Sequence, residues 1–262
     1  MTLAIVAVVA SLCPTQDKVS LKSLPKQGDK ISTVSKMSMK INLTIVGGGQ
    51  RMESVMEQRG SEKHSVEVLE LADGKVVKAS HHIEEDVEET REPGAEEFAR
   101  KENPLHGKKI VVALKEGKRT YEGAEGVEEK ELQSLDLEDE FANAFPAGPV
   151  AVGDSWEVSP EAVKKIFDDD KLEGKMTVKL AEVKDHEGRR CAFLDTQVEL
   201  RGALEHGMTL AAKMKGTVVV WIERGYTLKA NLEGTVTMKG KTEEAEVSGE
   251  GPMTVEAAAT IK

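Results

Sequence analysis

The stretch Glu205–Thr242, EHGMTLAAKMKGTVVVWIERGYTLKANLEGTVTMKGKT, decides the fold. In Met208, Leu210, Ala212, Met214, Gly216, Val218, Val220 and Ile222 every second residue is apolar or glycine, while Lys213, Lys215 and Thr217 stand between them. Alternation at period two marks a strand with one buried face. After Glu223-Arg224-Gly225 the pattern resumes on Tyr226, Leu228, Ala230, Leu232, Gly234, Val236 and Met238. Both sets are even-numbered, so only a loop of odd length keeps them on one face. A three-residue loop ending in a left-handed glycine meets that need, with Gly225 at the positive-φ position. It predicts Ile222 opposite Tyr226, Val220 opposite Leu228 and Met214 opposite Gly234.

Working outward, the same loop recurs as Glu205-His206-Gly207 and His186-Glu187-Gly188, and the strand between carries Ala192, Leu194, Thr196, Val198, Leu200, Gly202 and Leu204 inward. Past Met238 the apolar parity turns odd, through Ala245, Val247, Met253, Val255, Ala257, Ala259 and Ile261. An even loop is then required, and Gly240-Lys241 offers a two-residue turn that sets Val236 against Ala245 and Leu228 against Met253. Residues 175–261 thus read as a five-strand antiparallel meander with one apolar face. Its strands are two to three times the usual ~5–6 residues, and strands that long coil toward a barrel or half-barrel.

Toward the N-terminus, Met37, Met39, Ile41, Leu43 and Ile45 form another inward face, and Gly47-Gly48-Gly49 ends that strand. Residues 51–71 and 75–90 form a hairpin around Asp73-Gly74 whose register stays open, because Val66 and Val68 favour one face and Leu69 and Leu71 the other. Residues 108–122 hold a shorter hairpin. Leu132, Leu135, Leu137, Phe141 and Phe145 recur at roughly helical spacing over 128–145, and Ser159-Pro160-Glu161-Ala162 opens a second helix with a cap and a first-turn proline. The fold class expected is mainly β, a long-stranded meander forming a curved sheet or incomplete barrel with two short helices inserted mid-chain. Residues 1–13 read as a leader, 14–29 as a linker and 30–262 as one β-rich domain: a β half over 30–122, a helical insert over 127–168 and the meander over 175–261.

A formal net charge of −11 argues against nucleic acid, since no basic stripe is present to neutralise phosphates. Residues 3–10, LAIVAVVA, are too short to span a bilayer and match the apolar core of a secretory signal. Cys13 is the candidate for lipidation, although Leu12 stands where a lipobox carries a small residue. Cys191 is then a lone thiol and no disulfide framework exists. No cofactor or metal motif emerges. Gly240-Lys241-Thr242 has the wrong spacing to Gly234 for a phosphate loop and reads as a turn. His81 and His82 are adjacent and point to opposite faces, His81 reading as a buried, hydrogen-bonded histidine; Asp168-Asp169-Asp170 reads as a solvated turn. Trp221 falls on the outward parity beside Val219, which predicts a covered outer face or an exposed apolar patch there.

The segment Pro149-Val-Ala-Val-Gly-Asp-Ser-Trp156, followed by the glycine-bounded meander, resembles uncharacterised exported bacterial proteins that carry a V-G-D-x-W stretch. In layout the chain is similar to the lipoprotein-carrier half-barrels of the LolA and LolB type, which implies a hydrophobic cavity under lid-like helices in an envelope protein. The resulting expectation is a non-enzymatic envelope protein that binds a lipid, another apolar small molecule or an envelope protein on the concave face. The residues expected to line it are Met208, Leu210, Met214, Val218, Leu228, Leu232, Val236 and Met253. The rival expectations are a structural protein with a filled core acting through its outer surface and, third, an enzyme of unknown class.

Overall fold

The computed structural model describes residues 18–262 apart from 138, 168–170, 205–206 and 242–244. The leader with Cys13, His206 and Asp168–Asp170 therefore lie outside the described residues. The elements are β1 (Lys30–Gly47), β2 (Gln50–Ala72), β3 (Lys75–Arg91), β4 (Ala99–Glu102), β5 (Lys109–Lys115), β6 (Lys118–Glu122), α1 (Glu129–Leu132), a 3₁₀ turn (Glu140–Ala144), β7 (Ser155–Val158), α2 (Pro160–Ile166), β8 (Glu173–His186), β9 (Arg189–Ala203), β10 (Met208–Trp221), β11 (Tyr226–Lys241) and β12 (Ala245–Ile261). Among the described residues the strands form one twelve-stranded antiparallel sheet, ordered β6-β5-β3-β2-β1-β12-β11-β10-β9-β8-β7, with β4 on the far half of β3. The sheet is curved and does not close into a barrel.

The deciding hairpin pairs Met214 with Gly234 as expected, and Gly225 has φ +61. Near the turn the ladder slips by one: Val220 meets Thr227 and Trp221 meets Tyr226, with Leu228 as the extra residue of a bulge. The β8–β9 hairpin behaves the same way. His186 pairs with Arg189 across a two-residue Glu187-Gly188 turn, both with positive φ, and a shift between Leu180 and Glu182 restores the expected register, Met176 opposite Val198. Bulges near both turns, rather than three-residue loops, thus carry the parity at those hairpins. In β2–β3, shifts on both sides of Glu70 let Val66 and Leu71 each find a place, which resolves the conflict seen in the sequence.

Three expectations are corrected. Gly240 and Lys241 are not a turn but the end of β11, pairing with Val247 and Glu246, so Val236 faces Gly251 rather than Ala245. Parity is conserved while the register moves by six residues, because the small residue wanted opposite Val236 is a glycine. The helix expected over 128–145 is broken into α1 and the 3₁₀ turn. Its apolar residues serve two separate clusters: Leu132 and Leu135 pack with Ile83, Ile110 and Val112, whereas Phe141 and Phe145 pack against Val163 and Met176. Residues 18–29 are no free linker. Val19 bridges Val150, Leu21 is fully buried in the large core cluster, Leu24 N–H donates to the Arg224 carbonyl and Gly28 N–H to that of Val68. Asp29 holds this strap down by accepting from the Arg224 guanidinium and, at 3.0 Å, from the Tyr226 hydroxyl.

Curvature has a specific cause. A Cβ at Gly216, Gly234 or Gly251 would stand 1.8, 1.9 or 1.6 Å from the carbonyl oxygens of Asn231, Lys213 and Lys40, each on the neighbouring strand. These glycines step diagonally across β10, β11 and β12 and allow the strands to coil over one another. As a result Ile41 and Leu43 of β1 join Val236 and Met238 of β11 in one cluster across Gly249 and Gly251 of the intervening β12. Strands two apart meet only if the sheet folds toward that face, which is therefore the concave one. Gly251→Ala is expected to lower stability by at least about 2 kcal/mol, the scale of overpacking against backbone. Gly60→Ala, whose Cβ would meet nothing nearer than Met37 at 3.8 Å, should stay within about 1 kcal/mol of the parent. Urea unfolding of the two variants checks the contrast.

Candidate functional site

The concave face divides into a covered and an open territory. Over β8–β10 it is roofed by α2, the 3₁₀ turn and the strap, with Leu21, Val163, Met176, Val178, Leu194, Val198 and Val218 in one buried cluster. Local chemistry fixes this roof. Ser159 caps α2 by accepting from Ala162 N–H at 3.2 Å. Trp156 Nε1–H donates to the Ala144 carbonyl at 2.7 Å, and Asp139 accepts from Thr227 N–H at 2.9 Å, at the β11 bulge. Burial raises the Asp139 carboxyl above the usual range, against the lowering effect of those hydrogen bonds. The V-G-D-x-W segment has the same purpose: Gly153 turns with φ +98, Asp154 accepts from Ala151 N–H at 2.8 Å, and Trp156 ties the sheet to the roof.

The second territory lies over β2-β1-β12-β11-β10. Its cluster is built from strand residues alone: Met39, Ile41, Leu43, Val236 and Met238, with Met37, Met56, Met208, Leu210, Val247 and Met253 half-buried around them. Six methionines give this surface flexible thioether side chains, suited to repacking around an apolar guest. The eight residues expected from the sequence do not form one lining. Met214, Val218 and Leu232 are packed into the roofed core; Met208, Leu210, Val236 and Met253 belong to the open methionine face, Met253 touching both; Leu228 joins Cys191, Val219, Tyr226 and Ile261 at the far end of the sheet.

Two hollows of about 280 and 430 Å³ flank β1, and both lie toward β2 and β3 rather than in the meander. The larger is a rim hollow between β1 and β2, lined by Asn42, Leu43, Thr44, Glu53, Ser54 and Val55. The smaller joins the methionine face to an acidic one. Across the sheet, one row of cross-strand neighbours reads Leu232, Val255, Met37, Gly60 and Glu88, and the adjacent row Ala230, Ala257, Ser35, Glu62 and Asp86. Met37, Val255 and Gly60 thus meet Glu62, Asp86 and Glu88 in one hollow. Burial raises the Glu62 carboxyl above its usual range and the Asp86 charge adds to this, while the Ser35 hydroxyl, donating at 3.3 Å, opposes it. Asp86 is raised by burial as well.

Beyond that row His64 Nε2 and His81 Nδ1 lie 3.1 Å apart with stacked rings. His81 is 1% exposed and its Nε2 has no hydrogen-bond partner. Burial, with the charge of neighbouring histidines, pushes His64 down to about 4 and His81 to about 3. On the convex face Val219 is buried, and the Trp221 ring lies beneath the Arg189 and Arg224 guanidinium groups at 4.8 and 5.6 Å. Long basic side chains of this same chain cover the ring there, so no apolar patch is presented around it. No group of His, Cys, Asp and Glu that could hold a metal occurs among the described residues, and no described helix is long and apolar enough to cross a membrane.

Sequence reasoning missed Ser35, Glu62, Asp86 and Glu88. Their only signal was the parity of β1 and β2, which puts Ser35 in line with Met37 and Met39 and Glu62 in line with Gly60 and Val66.

No protein-family model and no curated protein matches this chain. Among solved structures it is similar to a lipovitellin chain described for its lipid–protein interactions, at 9% identity and TM-score 0.48, over 90% of this chain and 26% of the other. The chain thus spans about a quarter of that lipovitellin. An outer membrane channel from Pseudomonas putida matches at 11% identity and TM-score 0.27, over 92% of this chain and 98% of that one. A DUF1329 family protein from Desulfovibrio piger matches at 8% and 0.13, over 90% and 85%.

The histidine pair predicts an acid-sensitive fold. An unfolded imidazole titrates near 6.5, so from there down to about 4 the unfolded chain binds protons that folded His64 and His81 refuse. Stability must fall as pH drops through that window. The urea midpoint should decline more between pH 7 and pH 5 for the parent than for His64→Leu/His81→Leu; Glu62 and Asp86 titrate in both proteins, so the difference isolates the imidazoles.

Proposed function

We propose that this protein is a non-enzymatic binding protein of the bacterial envelope that holds a lipid-like ligand against its concave face. The single observation that carries the reading is the methionine-rich surface over β1, β12 and β11, which no described helix roofs and which runs into the hollow beside Met37 and Val255. That hollow, at about 280 Å³, is close to the ~300 Å³ at which small-molecule pockets begin. Its walls are adaptable thioethers on one side and polar groups on the other, which suits an amphiphile better than a compact polar substrate. The apolar run at residues 3–10, which resembles the core of a secretory signal, supports the export part of this reading. The reading assigns no catalytic role to any residue. The alternative of a structural protein acting through its outer surface is less well supported, because the apolar patch it needs around Val219 and Trp221 is covered by Arg189 and Arg224.

Native mass spectrometry of protein purified without detergent, followed by organic extraction, tests the proposal. One equivalent of a co-purifying amphiphile, or its uptake from a lipid mixture, is expected. Met253→Glu should lower occupancy by roughly tenfold or more, since a buried unpaired charge is costly; Met253→Leu should bind like the parent. A mass that stays free of ligand after exposure to the mixture overturns the reading.

A further inference from the structure

The rows of the concave face change character along their length, and that change specifies the ligand further. From β11 to β1 the side chains of these rows are apolar except Ser35; on β2 and β3 they become Glu62, Asp86 and Glu88 within the same hollow as Met37 and Val255. Gly60 stands between Met37 and Glu88, and with no side chain it leaves the floor open where the two regions meet; a Cβ there would touch only Met37. Glu62 and Asp86 are direct cross-strand partners, an arrangement in which like charges repel.

Their surroundings relieve that repulsion only in part: the charge of His106 lowers Asp86 and the Ser35 hydroxyl lowers Glu62, but burial outweighs each. Among the described residues neither carboxylate has a Lys or Arg within 4.0 Å. His64 Nδ1 lies 3.6 Å from Glu62 but is held neutral by burial; His106 Nδ1 is taken up by the Asp86 backbone N–H at 3.2 Å. Glu88 accepts from Gln58 Nε2 at 2.6 Å, a neutral donor. Lys36, on the same hollow, is on the opposite parity of β1 from Ser35 and Met37. A sheet that sets two partly desolvated carboxylates side by side at the end of an apolar groove, with no described Lys or Arg within 4.0 Å of either, is complementary to a guest that brings a cation.

Resting on the binding role above, we infer that the ligand is a cationic amphiphile: its chain lies along Met253, Val255 and Met37, and its ammonium or guanidinium head is placed between Glu62 and Asp86. A charge-assisted hydrogen bond to each carboxylate would offset their mutual repulsion.

Calorimetric titration with dodecylammonium, dodecanol, dodecanoate and butylammonium tests this. Dodecylammonium is expected to bind at least roughly tenfold more tightly than dodecanol, a difference of about 1.4 kcal/mol, and dodecanoate more weakly than either. In Glu62→Gln/Asp86→Asn, which removes repulsion and should fold as well as the parent, the preference for the amine over dodecanol should vanish. Gly60→Leu should weaken all three long chains by filling the floor. If the three long chains bind equally to the parent, or the amine preference survives in the double variant, the head-group inference falls and the binding role stands. If no twelve-carbon chain binds, the binding role itself falls. Butylammonium binding as tightly as dodecylammonium would also overturn the inference, since the site would then hold a free amine without using the groove. Amine-bearing lipids and soluble long-chain amines share this chemistry, and vesicle flotation with and without an aminolipid separates the two sources.

Discussion

The rest of the molecule depends on backbone contact at three glycines. Strands of fourteen to eighteen residues in β1 and β8–β12 cannot remain a flat ribbon without exposing a broad apolar face to water. Gly216, Gly234 and Gly251 let adjacent backbones close to distances that no side chain permits, so the sheet folds on itself and Ile41 and Val236 become fully buried with only sheet residues around them. Burying a side chain of that size contributes about 1.5–3 kcal/mol. Self-burial by curvature thus replaces, over this half of the face, the helical layer that a flat sheet would need.

The other half is covered conventionally, and the joints are polar where the covering is apolar. Trp156, Asp139 and Ser159 each meet a backbone group that a short helix or turn would leave unpaired. The division decides what the concave face can do. A roofed region is a core; a self-curved region retains an accessible edge, and here that edge runs toward β2 and β3.

Over β2 and β3 the face stayed open, but period two was legible in β1 and across the meander, and with it the class of fold and the pairing of Met214 with Gly234. Register at the ends was not. A bulge shifts parity without any distinctive residue, so Leu228 and Leu69 gave no warning of theirs, and Gly240 imitates a turn as well as it fills a strand end. Helical spacing over 128–145 misled because two clusters happened to draw on one run of apolar residues. Leu228, expected on the concave face, instead clusters with Val219 and Tyr226 because it is the extra residue of the bulge, and for the other expected residues burial depends on what lies above them. Met214 and Met253 are cross-strand partners of the same glycine, Gly234, on its two sides, yet one is packed into the roofed core and the other borders the open groove. The acidic end went unread because Glu62 and Asp86 only become neighbours once the β2–β3 shifts are known.

The strap and the β1–β12 pairing set a condition on how the chain acquires its structure. Lys30 to Gly47 finds its partner in Ala245 to Ile261, and Asp29 its anchor in Arg224 and Tyr226, across about two hundred intervening residues. Contacts so distant in sequence slow folding, since the loop entropy is lost before the contacts form. During synthesis β1 and β2 would emerge early as a hairpin with one unpaired, methionine-bearing edge, waiting for strands not yet made. Such an edge invites pairing with other chains, so the last strand of the sheet acts as the latch that removes a hazard created by the first.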